Sequence, residues 1–195
     1  MPSNIVSMIY RVIAERENDV LLNGFTPLNR TGLTNIAGSR TYAVQAGATT
    51  GAFTWAQKNG KEIYEDLRLA MTSFLTGTQA EFQARTLILD QTLYLELQKD
   101  YNVNDGRQSV LSIIQGTGWF GRIECVRGLR DSLSNNAAAL IIDDVPENII
   151  WLEIMGPNLA QQWPIARDTM YAFEERISEV IPFFPEAVME ITGVV

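Results

Sequence analysis

The chain has 195 residues, a net charge of −8, one cysteine and no histidine. A single cysteine cannot build an intrachain disulfide framework, and without histidine the commonest general base and transition-metal ligand are both missing. Ser-His-Asp, Cys-His and zinc-hydrolase chemistry are thereby excluded, and the acidic balance argues against general nucleic-acid binding, which needs basic residues gathered on one surface.

The first predicted element is a helix over 3–17, where Ser3 or Asn4 can cap and Ile5, Ile9, Val12 and Ile13 recur at helical spacing. No basic leader precedes the apolar residues and charge enters by Arg11, so the segment reads as neither a signal nor a transit peptide. Residues 23–40 hold three glycines, a proline and three asparagines without a sustained period, which predicts a long irregular loop or arm. Residues 41–47 and 51–57 flank Ala48-Thr49-Thr50 and suggest a β-hairpin, so that 23–57 reads as a protruding loop and hairpin. Over 61–75 the spacing predicts a helix with the stripe Ile63, Leu67, Ala70, Met71 and Phe74, acidic Glu62 and Asp66 near its positive end, and Gly77 as its stop.

From Ala84 to Gln98 the leucines at 87, 89, 93, 95 and 97 share one face of a strand but would scatter around a helix. This predicts one strand of roughly 46 Å that bends near Asp90-Gln91 or protrudes. Asp105 opens a short helix with Gln108 at capping-box spacing, ended by Gly116 and Gly118. Residues 121–134 fit both a helix and a strand. Residues 137–142 and 148–155 read as buried strands around a turn at Asp143–Pro146. Pro164 reads as the first residue of a core helix to Ile181, with the stripe Ala166, Met170, Phe173, Ile177 and Ile181 buried. With a last strand over 188–194, residues 148–195 form a strand-helix-strand crossover. The class is α+β: a mixed β-sheet flanked by helices, one domain over 1–195, with the irregular loop near 23–40.

Gly116-Thr117-Gly118-Trp119-Phe120-Gly121 spells G-x-G-x-x-G, but a phosphate cradle needs the glycines directly after a strand and opening a helix. Here they follow a helix, so the segment reads as a turn whose aromatics pack on the core or on a neighbour. Asp143, Asp144 and Glu147 lack the further oxygen ligands of a divalent-cation loop and read as a solvated turn. Arg122, Arg127 and Arg130, interleaved with Glu124 and Asp131, read as local ion pairs, with a partner's acidic groups as the alternative. Cys125 reads as a small buried hydrophobe, and Trp55, Trp119, Trp151 and Trp163 as core or interface anchors. Phe183-Phe184 between two prolines is a docking knob if exposed and a helix stop if buried. No catalytic, cofactor or metal set emerges, so no enzyme and no cofactor is expected.

The order helix, long loop, hairpin, helix, strands and strand-helix-strand resembles the small tail-terminator, neck and head–tail connector proteins of tailed phages. The resemblance implies a ring-forming virion protein at the head–tail junction or tail end, assembled in a host cytoplasm. Composition agrees: charged residues make up 19%, below the ~25% of ordinary domains, which leaves little charge to hold copies apart. The expected partners are further copies of the chain, as a homo-oligomer, and neighbouring virion proteins. No membrane partner is expected, because no apolar run approaches the roughly 18 residues of a span. The interface candidates are Phe25, Arg30, Trp119, Phe120, Phe183 and Phe184. Loop 23–40, with no apolar period to bury, is expected to order on assembly. The alternative reading is a cytoplasmic ligand- or partner-binding α+β domain.

Overall fold

The computed structural model describes residues 3–25, 27, 30–102, 108–131, 134–165 and 168–195, with side chains outside 3–6, 9 and 151–179. In chain order these form α1 (Ser3–Asn23), β1 (Arg40–Ala43), α2 (Gly60–Gly77), β2 (Thr86–Asp90), α3 (Gln91–Glu96), α4 (Val110–Thr117), β3 (Arg122–Val126), β4 (Ala139–Ile142), β5 (Ile149–Ile165), β6 (Asp168–Pro182) and β7 (Val188–Thr192). Five strands make one sheet in the order β1-β7-β4-β2-β3, and β5 with β6 makes a separate antiparallel ribbon. The outer pairs, β1 with β7 and β2 with β3, are parallel, whereas β4 runs antiparallel to both of its neighbours. The mixed sheet with flanking helices is the α+β class that the residue pattern predicts.

Strand side chains alternate between faces, and that alternation divides the interior in two. Leu87, Leu89, Ile141, Met189 and Ile191 pack against Ile63, Leu67, Ala70 and Phe74 of α2 and Val110 and Ile114 of α4. Ile88, Leu140, Ile142 and Val188 face the other way, onto Leu22 of α1 and onto Leu33, Ile36 and Val180. Covered on both sides, β2 and β4 are buried at every residue. That is why the chain around β4 reads as an unbroken apolar run.

The ends of the elements follow local chemistry. Asn59 caps α2 in a capping box with Glu62, and Gly118 closes α4 in the left-handed region at φ 66°. Ser109 caps α4 through Ser112 N–H, while Asp105 lies outside the described residues. Helix α1 runs on to Asn23, past the predicted end at 17. It is followed by Gly24 at φ 77°, where a Cβ would come 2.5 Å from Arg30 O.

The structure corrects several expectations. The predicted hairpin over 41–57 is absent: β1 pairs with β7, and Trp55 N–H donates to Val194 O instead of to a neighbouring hairpin strand. The strand predicted over 84–98 stops at Asp90, whose carboxylate accepts from Thr92 N and Oγ1 and starts α3. Of the segment 121–134, the described residues form strand β3, a bend at Arg127-Gly128 and an isolated bridge from Arg130 to Ala137. The described residues of the predicted core helix from Pro164 to Ile181 are strand, most of them in β6, and Pro164 pairs with Thr169 near the ribbon's tip. The crossover expected over 148–195 is therefore absent, and the parallel pair β2–β3, joined through α3 and α4, holds the crossover instead. The stripe side chains Met170, Phe173 and Ile177 lie outside the described side chains. The loop after α1 does bury apolar residues: Leu33 and Ile36 reach the second core, and Leu33 and Thr34 N–H donate to Leu21 and Leu22 O.

Candidate functional site

The two buried carboxylates of α2 are engaged in holding the preceding segment. Glu62 Oε1 accepts from Thr49 N at 2.7 Å and Thr50 N at 2.9 Å, and Oε2 accepts from Thr50 Oγ1 at 2.8 Å and Asn59 N at 3.1 Å. Burial pushes this carboxyl's pKa up, but the four donors outweigh it and hold it at about 2. One turn on, Asp66 Oδ2 accepts from Lys58 Nζ at 2.6 Å and Trp55 Nε1 at 3.0 Å. Burial pushes the Asp66 pKa up, against the pull of the Lys58 ammonium and the Trp55 indole N–H. Lys58 is itself buried and also donates to Gln45 O, and Lys99 Nζ donates to the carbonyls of Trp55, Ala56 and Lys58. These groups strap residues 45–59 onto the helix.

In the acidic turn Asp143 and Asp144 act as a clamp, against the expectation of a solvated turn, whereas Glu147 is exposed as expected. Asp143 is buried, accepts from Gln83 N at 2.9 Å and pairs with Arg85 Nε at 2.7 Å. Asp144 accepts from Thr86 Oγ1 and pairs with Arg122, which also lies 3.4 Å from Glu124. Among the described residues no three of Asp, Glu and Cys gather as a group that could hold a metal, and no helix is long and apolar enough to cross a membrane. Cys125, expected to be buried, is exposed on β3 at the outer edge of the sheet.

The six interface candidates fall in three separate places. Phe120, at 5% exposure, belongs to the first core, and Trp119 packs half-buried on Tyr64 with ring centroids 4.9 Å apart. Phe25 is half-buried beneath the Arg16 guanidinium, 4.7 Å from its centroid, and forms an isolated β-bridge with Arg30. Phe183 and Phe184 are 54% and 45% exposed, with exposed Ile181 beside them and the Phe184 ring 5.7 Å from Phe82. Their N–H groups both donate to Asn148 O, which fixes this apolar corner where the ribbon meets the central sheet.

Two surface features are not visible in local sequence patterns. One is the β5–β6 ribbon, which lies against α1 and otherwise pairs chiefly with itself. The other is a groove of about 720 Å³ between α1 and β3, with Leu22, Leu33 and Ile88 among its apolar lining and Asp19, Arg122 and Arg127 among its charged lining. Both arise from long-range packing, which no spacing rule registers.

A family model described as major capsid protein matches residues 3–194. The fold is similar to the capsid of Myoviridae phage XM1, with a TM-score of 0.81 at 14% identity over 97% of this chain and 64% of that one. The virus-like particle from Pyrococcus furiosus aligns with a TM-score of 0.66 at 16% identity, covering 92% of this chain and 64% of that one. A phage-related protein from Bordetella bronchiseptica RB50 aligns with a TM-score of 0.60 at 10% identity, covering 97% and 65%. The chain thus spans under two thirds of the length of these solved chains, and at such identities the likeness is one of fold. No curated protein sequence matches significantly. The resemblance to neck, tail-terminator and connector proteins is not supported by these matches, which point to capsid chains instead.

Proposed function

The chain belongs to the major capsid protein family, and from that premise we propose that it is a shell-forming subunit of a phage-like particle, working by assembly with further copies of itself. The family match over residues 3–194 carries this reading. The geometry agrees with it in the surface that the subunit exposes. The corner of Ile181, Phe183 and Phe184 presents large apolar side chains on a fixed backbone, a solvation cost to a free subunit that an assembly removes by covering them. The ribbon adds reach: fifteen to seventeen residues per strand at about 3.3 Å each extend roughly 50 Å.

A ring at the head–tail junction is the narrower role that the order of elements suggests, and it would use the same exposed corner. The shell is preferred because the family is described by the capsid itself. The reading is tested by sedimentation of the unaltered protein and of the double variant Phe183→Ser, Phe184→Ser. The unaltered protein should sediment as particles, and the double variant should remain as subunits of nearly unchanged thermal stability. An unaltered chain that stays monomeric at every accessible concentration would favour a partner-binding domain instead.

A further inference from the structure

We propose that the free edge of β3 takes up an extended segment of a second copy of this chain, which joins the central sheet as a sixth strand. The inference rests on the shell reading for its occupant and on the sheet geometry for its site. In a parallel ladder each residue turns its N–H and its C=O to the same side, and successive residues alternate. Arg122 N–H donates to Arg85 O at 3.0 Å, so Arg122, Glu124 and Val126 face β2. Ile123 and Cys125 therefore point both of their backbone groups outward, where the sheet has no further strand. Among the described residues nothing bonds these two N–H and two C=O groups.

The other edge of the sheet differs at one of its four outward groups. Val44 N–H donates to Thr192 O, which leaves Thr41 and Ala43 facing outward on β1, and there Gln45 Nε2 already donates to Ala43 O at 3.1 Å. Such side-chain capping is one way a sheet blunts an exposed edge. The β3 edge carries no such cap. It opens instead on the groove beside α1, about 720 Å³ in volume, with Leu22, Leu33, Ile88 and Val126 in its lining.

The chemistry of the occupant follows from the edge. Outward groups at Ile123 and Cys125 repeat every two residues, about 6.6 Å, which is the repeat of another extended main chain and not of a compact ligand. Arg122 already pairs with both Glu124 and Asp144, so selection is by backbone and by apolar contact in the groove rather than by these charges. In a shell built from one chain, the neighbour always at hand is another copy.

The test uses Cys125 as the reporter, with its labelling by N-ethylmaleimide located by peptide mass in free subunits and in assembled particles of the full-length protein. Labelling should be about tenfold or more slower in particles, since a paired strand covers the edge. Cys125→Pro removes only an outward N–H and should leave subunit unfolding nearly unchanged while abolishing assembly, whereas Glu124→Pro removes an inward ladder bond and should destabilise the subunit itself. Equal labelling in particles and subunits, or normal assembly of Cys125→Pro, would overturn the edge proposal and leave the shell reading standing. Protection seen only in particles that contain other virion proteins would overturn the second copy as occupant. Failure of the unaltered protein to assemble at all would overturn both.

Discussion

Glu62 occupies the third position of α2 and gathers four donors from two segments, which makes it the residue through which pH acts most directly on this fold. Its pKa falls from an ordinary 4.5 to about 2 in the folded chain. A depressed carboxyl pKa contributes stability that is present above the unfolded value and lost as pH falls through the folded one, so the contribution fades between about 4.5 and about 2. Glu62→Gln should cost about 1–3 kcal/mol at neutral pH, a range set by hydrogen bonds to a charged group, and the gap to the unaltered protein should close near pH 2. Urea unfolding of both proteins across that window checks it, and a gap independent of pH would assign the cost to shape alone. Asp66 differs because its charge is held in the interior by a cation. Lys58→Met should cost about 3–5 kcal/mol by leaving a buried carboxylate without its partner, and adding Asp66→Asn should restore most of that loss. Thermal unfolding of the single and double variants measures the recovery, and purely additive losses would contradict the pairing.

At the scale of elements, α2 is the helix whose stripe the sequence displays most plainly, and its Phe74 is fully buried between the sheet and the first core. Phe74→Ala should cost about 3–5 kcal/mol by opening a cavity, measured as a lowered urea midpoint with an unchanged slope, and a cost under about 1 kcal/mol would place the ring outside the core. Helix α2 was legible because its apolar stripe keeps one period from end to end, and strands β4 and β7 because each is a short, mostly apolar run. Strand β2 was legible only to Asp90: the odd-numbered leucines continue into α3, and the turn is made by a single carboxylate bonding Thr92, a capping event and not a change of pattern. The ribbon was misread for a different reason. Its register shifts between Trp151 and Glu153, Glu153 and Met155, Met155 and Asn158, and Leu159 and Gln161. Such bulges interrupt the period of two by which a strand is read, while the apolar residues of 166–181 recur at a spacing near that of a helix. Pro164 then imitates a helix start, although the strands of a two-stranded ribbon are both edges, where proline is tolerated.

For the whole molecule, the class of phage-like structural protein was legible from the low charge and from the lack of a catalytic set in the sequence. The exposure of Phe183 and Phe184 was not, since the flanking prolines fit a buried helix stop as well. The place in the particle was not legible, because the misread ribbon altered the order of elements on which the comparison with neck and connector proteins rested. The β3 edge also escaped the sequence, since nothing in Arg-Ile-Glu-Cys-Val tells an outer strand from an inner one until β2 and β4 have paired beside it. A shell subunit needs a firm centre and surfaces that reach its neighbours, and this chain has a sheet whose inner strands β2 and β4 are buried on both faces, with a long ribbon and an apolar corner beside it. The most direct test of the shell reading is electron microscopy of the full-length protein purified without other particle components. Closed shells built from this chain are the predicted result, and isolated rings or dispersed monomers at every concentration would contradict it.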